Sequence, residues 1–181
     1  MLPTVLVLAS GRGERFLVSG GTTHKLQADL GGKTGLQRTL DAVQQSGLPW
    51  HLEDAGHPGM GDSIAAAVRA TKSQNKGGGW LILPADLPLI APATLLQIAS
   101  ADVDAEVLIP SYQGQRGHPV RFAAVCGDAL AALQGEAGAA AVTQMFRKAM
   151  LPVDDPGCIT DIDTVSDLQR AAALFTERNA P

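Results

Sequence analysis

The stretch Thr4-Val5-Leu6-Val7-Leu8-Ala9-Ser10-Gly11-Arg12-Gly13-Glu14-Arg15-Phe16, followed by a Gly/Ser/Thr-rich run up to Lys25, decides how this 181-residue chain is read. Val5, Leu6, Val7 and Leu8 form a short apolar run between Pro3 and Gly11, the pattern of a strand buried in a parallel sheet. The loop that follows, residues 9–24, carries Gly11 and Gly13 together with Arg12 and Arg15. Glycines let a backbone approach a ligand closely and aim N–H groups at it. Arg15 and Lys25 add fixed positive charge. A strand that empties into glycines and cations is a place to hold phosphates, so a nucleoside triphosphate is expected here. Residues 19–23, Ser-Gly-Gly-Thr-Thr, make the second half of the loop read as flexible.

Outward from that strand the chain alternates. A helix is expected over residues 35–45, with Leu36, Leu40 and Val43 on one face and Gly47 ending it. Residues 50–53 read as a short strand and 56–61 as a second irregular loop. Asp62 or Ser63 is expected to cap a helix running to about Lys72. Residues 80–83 are a second clear buried strand, ending in Pro84-Ala85-Asp86-Leu87-Pro88, and Pro92 suits the first turn of a helix over 91–99. Strands are expected at 106–110 and 119–123 around a polar turn at 111–117. Alanine-rich helices follow at 127–133 and 139–149, then short strands at 151–153 and at Ile159. Thr164 and Asp167 fit a capping box opening a last helix to about Arg178. Strands alternating with helices predict a single α/β domain, residues 1–181, with a mostly parallel sheet.

Apolar content of 45% and charged content of 18% fit a soluble globular protein. A formal net charge of -4 argues against nucleic acid held by bulk charge. No stretch approaches the ~20 apolar residues of a membrane span, and the first apolar run is too short for a signal peptide, so a cytoplasmic location is expected. Cys126 and Cys158 form no C-x-x-C pair and read as reduced thiols.

Four stretches can carry chemistry. In the glycine loop, Phe16 stands where the third glycine of G-x-G-x-x-G would be, and the P-loop pattern is absent, so the loop reads as a phosphate cradle with its own cations. Asp86 lies just past a buried strand, where open α/β sheets bind ligands, and Mg²⁺ takes one or two carboxylates plus phosphate oxygens and waters. Asp161 and Asp163 alternate around Ile162, so in an extended segment they share a face; Asp163 also suits the electrostatics of a helix N-terminus. His118 sits between Gly117 and Pro119 with Arg116 and Arg121 close by, a segment able to hold an anionic acceptor or simply to enter a strand. His24, His51 and His57 have no metal-ligand spacing, and no nucleophile motif is present.

Taken in order, these stretches resemble the MobA-like nucleotidyltransferases, and within them the molybdenum cofactor cytidylyltransferase type. The motifs are Leu8-Ala9-Ser10-Gly11 with Arg15 and Lys25, Gly59-Met60-Gly61-Asp62-Ser63, Asp86-Leu87-Pro88, Arg116-Gly117-His118-Pro119, and the Asp-Ile-Asp-Thr-Val-Ser-Asp-Leu of residues 161–168. The resemblance implies a Rossmann-like three-layer α/β/α fold. It implies a Mg²⁺-dependent transfer of a nucleoside monophosphate, CMP favoured by Gly59-Met60, to a phosphorylated acceptor such as molybdopterin, with a molybdoenzyme as a further partner. Leu8, Ala9, Ser10, Gly11, Gly13 and Ser63 would bind the nucleotide, Arg15 and Lys25 its phosphates, and Asp86 and Asp163 the metal. Arg116, His118 and Arg121 would face the acceptor. Three departures stand out. Ser10 replaces the usual alanine or glycine. Arg15 and Lys25 are ten residues apart, about twice the usual spacing, which suggests a flexible lid. Only ten to fifteen residues stand where a further βα unit is usual before Gly59. A sugar phosphate or other small phosphate as acceptor, and a non-catalytic nucleotide-binding module, are the alternatives.

Overall fold

Strand β1, Thr4–Leu8, is wholly buried and runs between two parallel neighbours, β2 (Trp50–Glu53) and β3 (Trp80–Pro84). The computed structural model describes residues 1–178. The register sets Leu8 opposite both Glu53 and Pro84, so the chain leaves all three strands at one sheet edge. The remaining strands are β4 (Val107–Tyr112), β5 (Gln115–Arg116), β6 (Val120–Phe122) and β7 (Lys148–Pro152). The order is β2-β1-β3-β6-β4-β5, with β7 also on β4. The parallel ladders β1–β2, β1–β3 and β4–β7 are the longer ones; the antiparallel ones involve β6 or the β4–β5 hairpin. The sheet is thus a mostly parallel, open one.

Period-two alternation divides β1 between two helical layers. Val5 and Val7 pack with Leu81, Leu83, Val43, Leu95 and Ile98, on the side of α2 (Gly35–Ser46) and α4 (Pro92–Ser100). Leu6 and Leu8 pack with Ile82, Ile64, Val68, Phe122 and Leu130, on the side of α3 (Met60–Thr71) and α5 (Gly127–Ala131). The expected α2 is present with its Thr34 cap and its stop at Gly47, whose φ of 68° suits glycine. Only β2 stands between α2 and α3.

Several boundaries differ from expectation. The loop expected over 9–24 instead contains a short helix, α1 (Glu14–Val18), just before the run read as flexible, and Phe16 is buried against Ala28, Leu30, Leu89, Ile162 and Ala171. Ser19 Oγ accepts the Val165 N–H, so the loop is fastened to the start of the last helix. Helix α3 begins at Met60 behind Gly59, placing Asp62 and Ser63 inside its first turn rather than at its cap. The helix expected over 139–149 shrinks to α6 (Ala140–Thr143), because residues 148–152 pair with 107–111 as β7. Tertiary pairing there overrides the helix preference of alanine. Ile159 ends a 3₁₀ turn, Pro156–Ile159, and is not in a strand. Helix α7, Val165–Arg178, opens with the expected capping box: Thr164 Oγ1 accepts the Asp167 N–H and Asp167 Oδ2 accepts the Thr164 N–H. No helix among the described residues is long and apolar enough to cross a membrane.

Candidate active site

A cleft of about 370 Å³ opens where β1 and β2 end, lined by the glycine loop from Ser10 to Arg15, by Lys25 and Asp163, and by the β2–α3 connection from His57 to Met60. That volume suits a small-molecule ligand. The loop is shaped by two features. Gly13 has φ 66°, in the left-handed region glycine favours, and His24 Nε2 bonds the Gly11 carbonyl at 2.8 Å. His24 Nδ1 accepts the Leu26 N–H, so the ring is held from both sides.

Lys25 leads into a 3₁₀ turn, Lys25–Gln27, and its side chain is largely enclosed. Its Nζ donates to Asp86 Oδ2 at 2.5 Å and to Asp163 Oδ1 at 2.7 Å. Burial lowers the Lys25 pKa, but the two carboxylates outweigh it, and the net shift is upward, so the ammonium is firmly held. Arg15 Nη1 donates to Asp163 Oδ2 at 2.8 Å from an exposed position. Asp163 therefore ties the loop cation and the buried cation together. Asp161 and Asp163 flank Ile162, which is buried and donates its N–H to the Asp86 carbonyl at 3.0 Å. That bond brings the last segment beside the end of β3. Burial and the neighbouring charges of Asp86, Asp163 and Asp167 raise the Asp161 carboxyl pKa.

Asp86 Oδ1 is buried and has no hydrogen-bond partner among the described residues. An orphaned carboxylate oxygen beside a second carboxylate has the chemistry of a divalent-cation ligand. No group of three or more His, Cys, Asp or Glu gathers into a self-sufficient metal cage among the described residues. Asp86 and Asp163 fit an ion that takes its other ligands from phosphate oxygens and water, the mode typical of Mg²⁺.

The other expected residues divide. Ser10 Oγ and Ser63 Oγ meet at 2.5 Å, and Ser63 also bonds the Gly59 carbonyl, joining the glycine loop to the first turn of α3. Leu8 is core, and its carbonyl accepts the Ala85 N–H; Ala9 donates its N–H to the Glu53 carbonyl. Neither lines the cleft. His118 is exposed and does not line the cleft; desolvation lowers its imidazole pKa, against the opposing charges of Asp86 and Asp161. Arg116 is exposed on the β4–β5 hairpin and does not line the cleft. Arg121 is a correction. Strand alternation turns it toward α4, where its Nη1 donates to the carbonyls of Ile98, Ala99 and Ala101 at the helix end, not toward an acceptor. Sequence reasoning passed over Glu53 and His57; the first is a buried carboxylate at the end of β2, and the second lines the cleft. The expected thiols are free and buried.

Residues 41–153 match the family model described as the MobA-like NTP transferase domain. That span contains Ser63 and Asp86, while the glycine loop, Lys25 and Asp163 lie outside it. The fold is similar to Rv0371c from Mycobacterium tuberculosis H37Rv, with a TM-score of 0.70 and 23% identity over 96% of this chain and 99% of that one. It is similar to a nucleotidyl transferase from Methanothermobacter thermautotrophicus, with a TM-score of 0.78 and 22% identity over 98% and 99%. It is also similar to molybdopterin-guanine dinucleotide biosynthesis protein A from Archaeoglobus fulgidus, with a TM-score of 0.68 and 20% identity over 96% and 99%. No curated protein sequence matches the chain significantly.

Proposed function

The chain belongs to the MobA-like NTP transferase domain family, a family of nucleotidyltransferases, and on that premise we propose that it moves CMP from CTP to a phosphorylated acceptor, with molybdopterin the favoured acceptor. The observation that carries this reading is the Lys25 ammonium clamped between Asp86 and Asp163 at the mouth of the glycine loop. Cations that are pre-positioned, partly desolvated and backed by carboxylates suit a reaction that moves charge between phosphates. Gly59-Met60 at the start of α3 supports the cytidylyl preference through the resemblance.

In the proposed reaction a phosphate oxygen of the acceptor attacks the α-phosphorus of the nucleotide. A new P–O bond forms as the bond to the oxygen bridging α and β phosphorus breaks, and pyrophosphate leaves with that electron pair. The attacking oxygen is already anionic, so no protein base is required. The roles assigned to the chain are positioning and charge stabilisation. The glycine-loop N–H groups and Arg15 orient the triphosphate, and Lys25 meets the charge that grows on the leaving pyrophosphate. Ser10 and Ser63 border the ribose and base, and His118 faces the acceptor side. Magnesium is the ion assigned to Asp86 and Asp163, where it would neutralise phosphate charge; a fold relative, Rv0371C, has been solved as a manganese complex.

The test is pyrophosphate release with CTP, GTP or ATP in the presence of Mg²⁺ and molybdopterin, with a sugar phosphate as a parallel acceptor. Fastest release with CTP and molybdopterin is expected. Nucleotide binding without release under any combination would contradict catalysis and make the chain a nucleotide-binding module.

A further inference from the structure

We propose that His57, held in one tautomer by Glu53, reads the exocyclic amino group of the nucleobase and makes this site prefer cytosine over uracil. The inference rests on the reading that the cleft binds a nucleoside triphosphate.

Glu53 closes β2 directly opposite Leu8, at the root of the glycine loop. Its side chain is 10% exposed and points, with His51 two residues before it, to the face of β2 that packs with Leu6 and Leu8. Glu53 Oε1 accepts the Ala55 N–H at 3.3 Å and lies 3.0 Å from His57 Nε2. Oε2 lies 3.5 Å from His51 Nε2, too poorly aligned for a hydrogen bond. A carboxylate can only accept, so His57 Nε2 carries the hydrogen, and in that tautomer of the imidazole the lone pair is on Nδ1. That nitrogen has no hydrogen-bond partner among the described residues, on a side chain that lines the cleft.

The cleft's cations, Arg12, Arg15 and Lys25, come from the loop after β1, so the phosphates belong at that end. The base then falls toward the β2–α3 connection, where His57, Pro58, Gly59 and Met60 form the wall with Glu136, whose backbone lies against Gly59. Ser10 also lines the cleft, with Ser63 buried behind it, but a hydroxyl donates or accepts and discriminates little. A fixed imidazole lone pair does discriminate. It accepts from the cytosine amino group, whereas uracil sets a carbonyl oxygen against it. His57 thus touches the substrate, and Glu53 is its positioning residue.

The test is the ratio of UTP to CTP dissociation constants, measured by calorimetry with Mg²⁺ for the wild-type chain and for H57A, E53A and E53Q. A ratio taken within one protein is insensitive to the fraction folded. The wild type should favour CTP by about tenfold or more, the scale of one discriminating hydrogen bond. H57A and E53A should bring the ratio to within about threefold of unity while both nucleotides still bind through their phosphates. E53Q, whose amide oxygen accepts the same proton, should retain most of the preference. An unchanged ratio in H57A, or a wild type that binds CTP and UTP equally, overturns the assignment. Wild-type protein that binds neither nucleotide overturns the triphosphate reading as well.

Discussion

Asp86 and Asp155 each lie two or three residues past a parallel strand, and they differ in what surrounds their oxygens. Asp155 is 4% exposed and saturated. Its Oδ2 accepts from the Ala91 N–H at 2.9 Å and the Thr94 hydroxyl at 2.8 Å; its Oδ1 accepts from the Gly157 N–H at 2.8 Å and from Arg178 at 2.5 Å. Those donors come from the start of α4, the 3₁₀ turn after β7 and the end of α7, so the carboxylate fastens three separate segments. Among the described residues, Asp86 has the Lys25 side chain on one carboxylate oxygen and no partner on the other. A charge whose lone pairs are all answered by protein is architecture. A charge left half-answered beside a cleft is positioned for something the protein does not itself contain.

The largest expected effect tests the saturated side of that contrast. Asp155→Ala leaves four donors, one of them an arginine, without their acceptor. It should destabilise the protein by about 3–5 kcal/mol, as breaking other buried ion pairs does. Urea denaturation measures this, and turnover per folded molecule should stay near wild type. Arg121 tests the same distinction from the cation side. Removing it in Arg121→Ala strips the end of α4 of its capping charge and should cost about 1–2 kcal/mol. The KM for the acceptor should not move; a rise in KM without loss of stability would return Arg121 to the acceptor site. The smallest effect concerns Asp161, whose carboxyl pKa is raised by burial and by Asp86, Asp163 and Asp167. An acid with a raised folded pKa loses stability as pH climbs from its unfolded value, near 3.9, through its folded one, and the ionised form then carries the penalty. Asp161→Asn should therefore be slightly more stable than wild type at pH 8, by less than about 0.5 kcal/mol. The gain should vanish near pH 3, where wild-type Asp161 is protonated in both states. Thermal melts at the two pH values decide it.

The parts of the molecule legible in the sequence are those set by local pattern. Val5–Leu8 and Trp80–Leu83 are short apolar runs that end in turn residues, and both are buried strands, the first leading into the cleft-lining loop and the second into Asp86. Gly47 and the Thr164–Asp167 box mark helix ends through chemistry contained within a few residues. What escaped depends on partners distant in the chain. Asp155, in Asp-Pro-Gly, looks like a turn residue, and its Ala91 and Thr94 donors are more than sixty positions away. Lys148 and Ala149 look helical, and the strand looks to begin only at Leu151, until β4 supplies a pairing edge for 148–152. The glycine-rich run after Phe16 looks loose until Phe16 finds Ile162 and Ala171 near and within the last helix. Arg121 lies close to His118 in sequence, yet the flanking Val120 and Phe122 pack on the α3 side, which by alternation turns Arg121 to the other face. That signal was present in the pattern. The His57–Glu53 bond also lay within sequence reach, at i and i+4, but it forms at the end of a strand, where helical spacing gives no hint of contact.

The central claim is that the half-answered carboxylate is the reaction centre, and Asp86→Ala tests it most directly. Pyrophosphate release from CTP with Mg²⁺ and acceptor should fall at least ~100-fold, the scale seen when other electrostatic stabilisers are removed. The far-ultraviolet circular dichroism spectrum and cooperative unfolding should be retained. Wild-type turnover in the Asp86→Ala protein would contradict the account.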